Sequence, residues 1–78
     1  MAEWKADEVL DAKGLSCPMP ILKTKKILKN MKSGQILEIQ GTDPGTRNDL
    51  PAFTKRSGDE FLGEEQGDGY ISFFLKKG

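Results

Sequence analysis

The chain contains a single cysteine, Cys17, within a Cys-Pro-Met-Pro sequence. An amphipathic helix is predicted to follow, and Pro18 suits its first position because that N–H would have no partner there. Cys17 would then be the N-cap, where the helix dipole favours a thiolate, the nucleophilic form of cysteine. Pro18 and Pro20 lack N–H groups, so those of Met19 and Ile21 would be left to reach the sulfur. The two prolines also fix φ, so we expect a rigid corner that presents the thiol outward.

Several kinds of catalysis need residues that this sequence does not have. It contains no histidine, which excludes Cys-His and Ser-His-Asp catalysis and histidine metal ligation. A second thiol for an internal disulfide is also missing. We therefore expect neither a metal nor a cofactor. Two interpretations of Cys17 stay open at this point: an unreactive core residue and a reactive thiol.

Hydrophobic periodicity predicts the element order β-α-β-α-β-β. Alternating polar and apolar residues indicate two strands in the first half, and the residues between them have the apolar period of a helix. A Gly-Asp-Gly sequence predicts a hairpin between the last two strands. The predicted bounds are 7–12, 35–41, 60–66 and 70–76 for the strands, and Pro18 to Ser33-Gly34 for the first helix.

The second helix is the least regular prediction. Proline is disfavoured inside a helix, so Pro51 predicts a short opening turn over 44–50 and a regular helix over 51–57, with Leu50 and Phe53 inward. Both helices can bury an apolar stripe only if they cover one face of the sheet. The predicted fold class is therefore α+β, a two-layer α/β sandwich with a four-stranded mixed sheet. The 78 residues are enough for one domain, 1–78, and we expect residues 1–6 to be poorly ordered.

Charge is balanced in total but uneven along the chain. Twelve basic residues match twelve acidic ones, so no direct nucleic-acid partner is expected. Six lysines and no acid occur between positions 13 and 32, mostly on one predicted helix face, and Lys23 and Lys26 are candidate contacts for an acidic partner protein. No run approaches the roughly 20 apolar residues of a membrane span, and the start lacks a secretory pattern. We expect a cytoplasmic protein with no membrane partner.

The segment LDAKGLSCPMPILKTKKIL resembles the opening of the TusA (SirA-like) sulfur-carrier family, with its leucine-aspartate strand, glycine turn and Cys-Pro-x-Pro motif. The segment MKSGQILEIQGTDPGTRNDLPAF is similar to the family's second strand and the region after that strand. The resemblance covers nearly the whole chain. It implies the same two-layer sandwich and a sulfurtransferase-type carrier that acts with partner enzymes.

The resemblance implies that Cys17 accepts sulfane sulfur from a cysteine desulfurase or a rhodanese and holds it as a persulfide. The acceptor is a thiol on a downstream protein, and the exchange needs no metal. We expect Pro18 and Pro20 to position the motif, and Asp43, Arg47 and Asp49 to form a polar patch beside Cys17 that guides partners or fixes the start of the second helix. For Asp43 a plain helix cap is an equal alternative, and Arg47 and Asp49 would alternatively pair with each other or with solvent.

Family members serve tRNA thiolation, cofactor biosynthesis or sulfur oxidation, and the sequence does not choose among these pathways. We expect a monomer when the protein is free. Three other functions stay open. They are a non-enzymatic binding or regulatory module that uses the lysine face for nucleic acid or protein, a redox sensor or thiol peroxidase, and a carrier that holds sulfur as a thiocarboxylate on Gly78.

Overall fold

The computed structural model describes residues 4–16 and 18–78, which form four strands and two helices in the predicted order. Cys17 and residues 1–3 of the predicted N-terminal tail lie outside the described residues. No helix in the described ranges is long and apolar enough to cross a membrane. The elements are β1 (Glu8–Ala12), α1 (Met19–Lys29), β2 (Ile36–Gly41), α2 (Thr46–Ser57), β3 (Glu60–Gln66) and β4 (Ile71–Lys76).

The strands form one mixed sheet in the order β1-β2-β4-β3. β1 and β2 are parallel, as expected for strands joined by a helix, and the pairs β2-β4 and β4-β3 are antiparallel. Both helices lie against the same face of the sheet and contact each other. The predicted α+β sandwich, with two helices on one face, is therefore confirmed.

The core lies between this face and the helices. Alternation along the strands places Leu37, Ile39, Phe73 and Leu75 in it, all with at most 1% of their surface exposed. From α1, the residues spaced by four positions are buried against the sheet: Pro20, Thr24 and Leu28. The lysines of α1 occupy its opposite, exposed face, as the sequence predicts.

α2 passes through Pro51 without a break, so the predicted division into an opening turn and a helix over 51–57 is wrong. Pro51 has no N–H to donate to the carbonyl of Arg47, and an interior proline costs a helix about 3 kcal/mol. Burial on the same helix offsets that cost. Leu50 is fully buried, and Phe53 packs half-buried against the core, which confirms their predicted inward orientation.

β3 contains one extra residue relative to β4. Phe61 pairs with Leu75 and Gly63 with Phe74, so two steps along β3 match one step along β4. Such a bulge reverses which face the later residues of the strand present. Glu64 consequently lies on the side of the sheet that carries the helices, beside α2.

The open face of the sheet is partly covered by Trp4. Its ring lies 5.1 Å from that of Phe74, which is only 1% exposed although it points away from the helices. The indole of Trp4 also packs against the bulge at Gly63. A Cβ atom added to Gly63 would lie 2.6 Å from the indole, which is too close for a side chain. Glycine at position 63 therefore makes room for the ring.

Replacing Trp4 with alanine should lower the free energy of unfolding by about 1–3 kcal/mol, because Phe74 loses its cover and its aromatic neighbour. Urea denaturation measures this, with the exposed Lys5→Ala as the control. Gly63→Ala should also destabilise the protein, and by less in the Trp4→Ala background, where the clash is gone and only the backbone strain at a φ of 157° is left. Equal effects of Gly63→Ala in both backgrounds would contradict this packing.

Asp59 connects the end of α2 to the C-terminal residues. Its side chain is 4% exposed, and it accepts hydrogen bonds from the Gly78 N–H (2.8 Å) and the Ser57 hydroxyl (2.7 Å), with the Lys77 Nζ at 3.9 Å. Asp59→Ala should lower the free energy of unfolding by about 1–3 kcal/mol, because the two donors lose a charged acceptor that is itself buried. Urea unfolding tests this against Asp68→Ala in the exposed hairpin, which should be nearly neutral.

Candidate functional site

Three loops meet at one edge of the sheet. Gly41, at the end of β2, pairs with Ala12 at the end of β1 and with Ile71 at the start of β4. The loop that begins at Lys13, the loop over 42–45 and the hairpin over 67–70 therefore leave the sheet at the same level. The first of these loops contains position 17, so this edge is the candidate functional site.

The loop after β1 is built from two turns. In the first, Leu15 N–H donates to the Ala12 carbonyl (3.2 Å), and Gly14 has a φ of 81°, which favours glycine. In the second, Met19 N–H donates to the Ser16 carbonyl (2.9 Å). The two hydrogen bonds join described residues that are close to position 17 in the sequence.

The start of α1 differs from the prediction by one residue. Pro18 is the N-cap, with φ −98° and ψ 10°, and the first helical residue is Met19. The predicted N-cap, Cys17, lies outside the described residues, and its position in the sequence precedes the N-cap. The difference arises because Ser16 accepts the N–H of Met19, which forms a turn before the helix begins. That N–H is thereby bonded to backbone, although the sequence predicted it as a donor to sulfur.

An exposed stripe runs along α1 from this loop. Met19 is 42% exposed and Leu22 is 53% exposed, and Lys23 and Lys26 are also exposed. The spacing i, i+3, i+4 and i+7 places all four on one side of the helix. The sequence pattern predicts the two lysines as partner contacts, whereas the two apolar residues were not among the predicted contacts. Their exposure could have been predicted, because both residues fall outside the apolar stripe that packs on the sheet.

Asp43 lies in the loop between β2 and α2. Its Oδ1 accepts the N–H of Gly45 (3.1 Å), and its carbonyl accepts the N–H of Thr46 (3.1 Å). The N-cap of α2 is Gly45, and no side chain caps the helix. Asp43 thus shapes the turn that leads into α2 and lies two residues before the N-cap, so it is not the helix cap itself.

Arg47 is held by β3. Its Nε and Nη2 lie 2.9 and 2.6 Å from the Oε2 of Glu64, so its ionic partner is Glu64 and the alternative pairing with Asp49 is wrong. Asp49 is half-buried in the first turn of α2, where the helix dipole favours a carboxylate. Of the predicted polar patch, the structure places Asp43 in a loop at the candidate edge and directs Arg47 toward the sheet.

A cleft of about 300 Å³ opens between the β2–α2 loop and the hairpin. Thr42, Asp43 and Pro44 line one side, and Gln66 and Tyr70 line the other. Within the described part of the chain, no three acidic side chains lie close enough together to hold a metal ion.

Comparison with known proteins gives one consistent result. The family model described as Sulfurtransferase TusA matches residues 8–77. The putative sulfur carrier protein YrkI of Bacillus subtilis is 49% identical over 74 residues, which cover 95% of this chain and 99% of YrkI. Sulfur carrier protein TusA of Allochromatium vinosum is 46% identical over 71 residues, which cover 91% and 93% of the two chains.

Two further similarities concern chain length and fold. The putative sulfur carrier protein YrkF of Bacillus subtilis is 54% identical over 95% of this chain, which spans only 40% of YrkF. The crystal structure of a SirA-like protein from Desulfitobacterium hafniense superposes with a TM-score of 0.74 at 26% identity. That match covers 91% of this chain and 97% of the other. The fold and the matched length therefore agree with those of the SirA-like protein.

Proposed function

Because the chain belongs to the TusA family of sulfur carriers, we propose that Cys17 is the residue that holds the sulfur, as a persulfide. The observation that carries this proposal is the combination of family membership with a single cysteine in the whole sequence. A carrier that holds sulfur on a thiol has only this residue to use. Pro18 and Pro20 follow it and restrict the backbone at the start of α1.

The proposed transfer has two steps of thiol exchange. The Cys17 thiolate attacks the outer sulfur of a persulfide on a donor protein, a new S–S bond forms, and the donor leaves as a thiolate. An acceptor thiolate then attacks the outer sulfur of the Cys17 persulfide and releases the Cys17 thiolate. One sulfur atom moves in each step, and no external oxidant or reductant is consumed.

A solitary cysteine suits such a carrier. A second thiolate nearby would attack the inner sulfur of the loaded persulfide, form a disulfide and release the outer sulfur as hydrosulfide, before an acceptor protein could arrive. Donor and acceptor must therefore bring their own thiols. A cysteine desulfurase or a rhodanese has the chemistry of the donor, and the acceptor is a downstream protein with a reactive cysteine.

The exposed stripe of α1 is the proposed docking surface for these partners. Met19 and Leu22 would contribute apolar contact close to the loop, and Lys23 and Lys26 would attract carboxylates around it. A partner with an apolar patch bordered by acidic residues fits this surface. Asp43, at the same edge, is a further candidate contact, whereas Arg47 is engaged with Glu64 and Asp49 is half-buried.

Mass spectrometry after incubation with a cysteine desulfurase and cysteine tests the proposal. The wild-type protein should gain the mass of sulfur, and a thiol reductant should remove it. Addition of an acceptor protein should also remove it, with sulfur appearing on the acceptor. A wild-type protein that gains no removable sulfur under conditions in which the desulfurase is active would refute the persulfide proposal.

A further inference from the structure

Two contacts join the loop after β1 to residues of other loops. Neither contact is one of the hydrogen bonds that form the turns within the loop. The Gly14 N–H donates to the Thr42 hydroxyl oxygen (2.9 Å), which reaches across from the β2–α2 loop. The Lys13 Nζ lies 4.9 Å from the centre of the Tyr70 ring, which stands at the hairpin. The loop is thus attached to both other loops at this edge of the sheet.

We propose that Thr42 and Tyr70 are positioning residues for the loop that carries Cys17. The inference rests on the proposed function, because it concerns how that loop is presented to a partner. Gly14 and Lys13 lie only three and four positions before Cys17, so their attachment limits how far this part of the chain can move. Neither residue is among the site residues predicted from the sequence.

The two contacts act on adjacent residues by different means. Thr42 supplies a hydroxyl oxygen as an acceptor, and a threonine-to-valine change removes it while keeping the side-chain shape. Tyr70 supplies the face of a ring to an ammonium group, an attraction that phenylalanine retains and leucine does not. Because both restrain one loop, the effects of removing them should not be additive.

Direct transfer between proteins requires the loop to be presented correctly, whereas a small sulfur donor in solution can approach a thiol from many directions. Thr42→Val should therefore lower the rate of sulfur uptake from a cysteine desulfurase by about threefold to tenfold, the size expected for one lost hydrogen bond. Uptake from inorganic polysulfide should change by less than about twofold, since that donor needs no docking.

The experiment compares Thr42→Val with Thr42→Ser, and Tyr70→Leu with Tyr70→Phe, using both donors well below the unfolding temperature. The serine and phenylalanine variants should behave as wild type. The rate of uptake from the desulfurase, divided by the rate of uptake from polysulfide, should fall only in the valine and leucine variants. A role in stability alone would leave that ratio unchanged. Amide hydrogen exchange at Gly14, which should be faster in Thr42→Val, reports the contact without any sulfur chemistry.

The outcomes are distinguishable. An unchanged ratio in both Thr42→Val and Tyr70→Leu overturns the positioning role, whether or not Gly14 exchange becomes faster. If Thr42→Val fails to fold, the ratio measured for Tyr70→Leu against Tyr70→Phe decides the question. If wild type takes up sulfur from neither donor, the proposed function itself fails.

Discussion

Cys17→Ser should abolish sulfur uptake from a cysteine desulfurase, down to the background of a reaction without carrier. The reason is chemical: the proposed intermediate is an S–S bond, and the serine hydroxyl offers oxygen in place of the nucleophilic thiolate. No other side chain can substitute, because the sequence contains one cysteine. Intact-protein mass spectrometry with and without a reductant measures the loss directly.

This result needs a control for folding. Thermal unfolding of Cys17→Ser should match that of wild type closely enough to show that the fold is retained. Wild-type protein alkylated at its thiol should be as inactive as the variant. Sulfur uptake by Cys17→Ser at the wild-type level would place the cargo on another residue and would refute the persulfide on Cys17.

Most of the architecture could be predicted because it depends on simple periodicity. The alternating strands, the apolar stripe of α1 and the glycine-rich hairpin each point to one local structure. Their agreement selects the two-layer sandwich. Pro51 shows the limit of this reasoning, because the local cost of a proline was outweighed by burial of Leu50 and Phe53, which depends on the assembled core.

The partner of Arg47 could not be predicted from alternation. Strict alternation from Phe61 would turn Glu64 away from the helices, but the bulge before Gly63 reverses that phase and brings Glu64 to Arg47. A glycine inside a strand pattern was the available signal for a bulge or a close approach. Here it marks both, since the indole of Trp4 lies against it.

The candidate site was only partly predictable for a related reason. The Cys-Pro-Met-Pro sequence identified the loop, but the contacts that hold that loop come from Thr42 and Tyr70, far away in sequence. Hydroxyl and aromatic residues in loops have many possible partners, and only the register of three strand ends brings these two to the loop. The exposed apolar residues of α1 could have been found in the sequence, because they fall outside the stripe that packs on the sheet.

Leu22→Glu should lower the rate of sulfur uptake from a cysteine desulfurase by about tenfold to a hundredfold. Leu22 is 53% exposed beside the loop, so the change removes apolar contact and places a negative charge among lysines that would attract an acidic partner. The fold should be preserved, because the side chain lies outside the core. Uptake kinetics at several desulfurase concentrations should show weaker binding, with the saturated rate much less affected.

Val9→Glu is the matched control. Val9 is 56% exposed, so the same apolar-to-acid change is made at nearly equal exposure, on β1 and away from the stripe. Its uptake rate should stay within about twofold of wild type, and both variants should load equally well from inorganic polysulfide. Equal losses of uptake rate in the two variants would show that added negative charge, not the surface around Leu22, governs binding of the desulfurase. The proposal of docking along α1 would then be wrong.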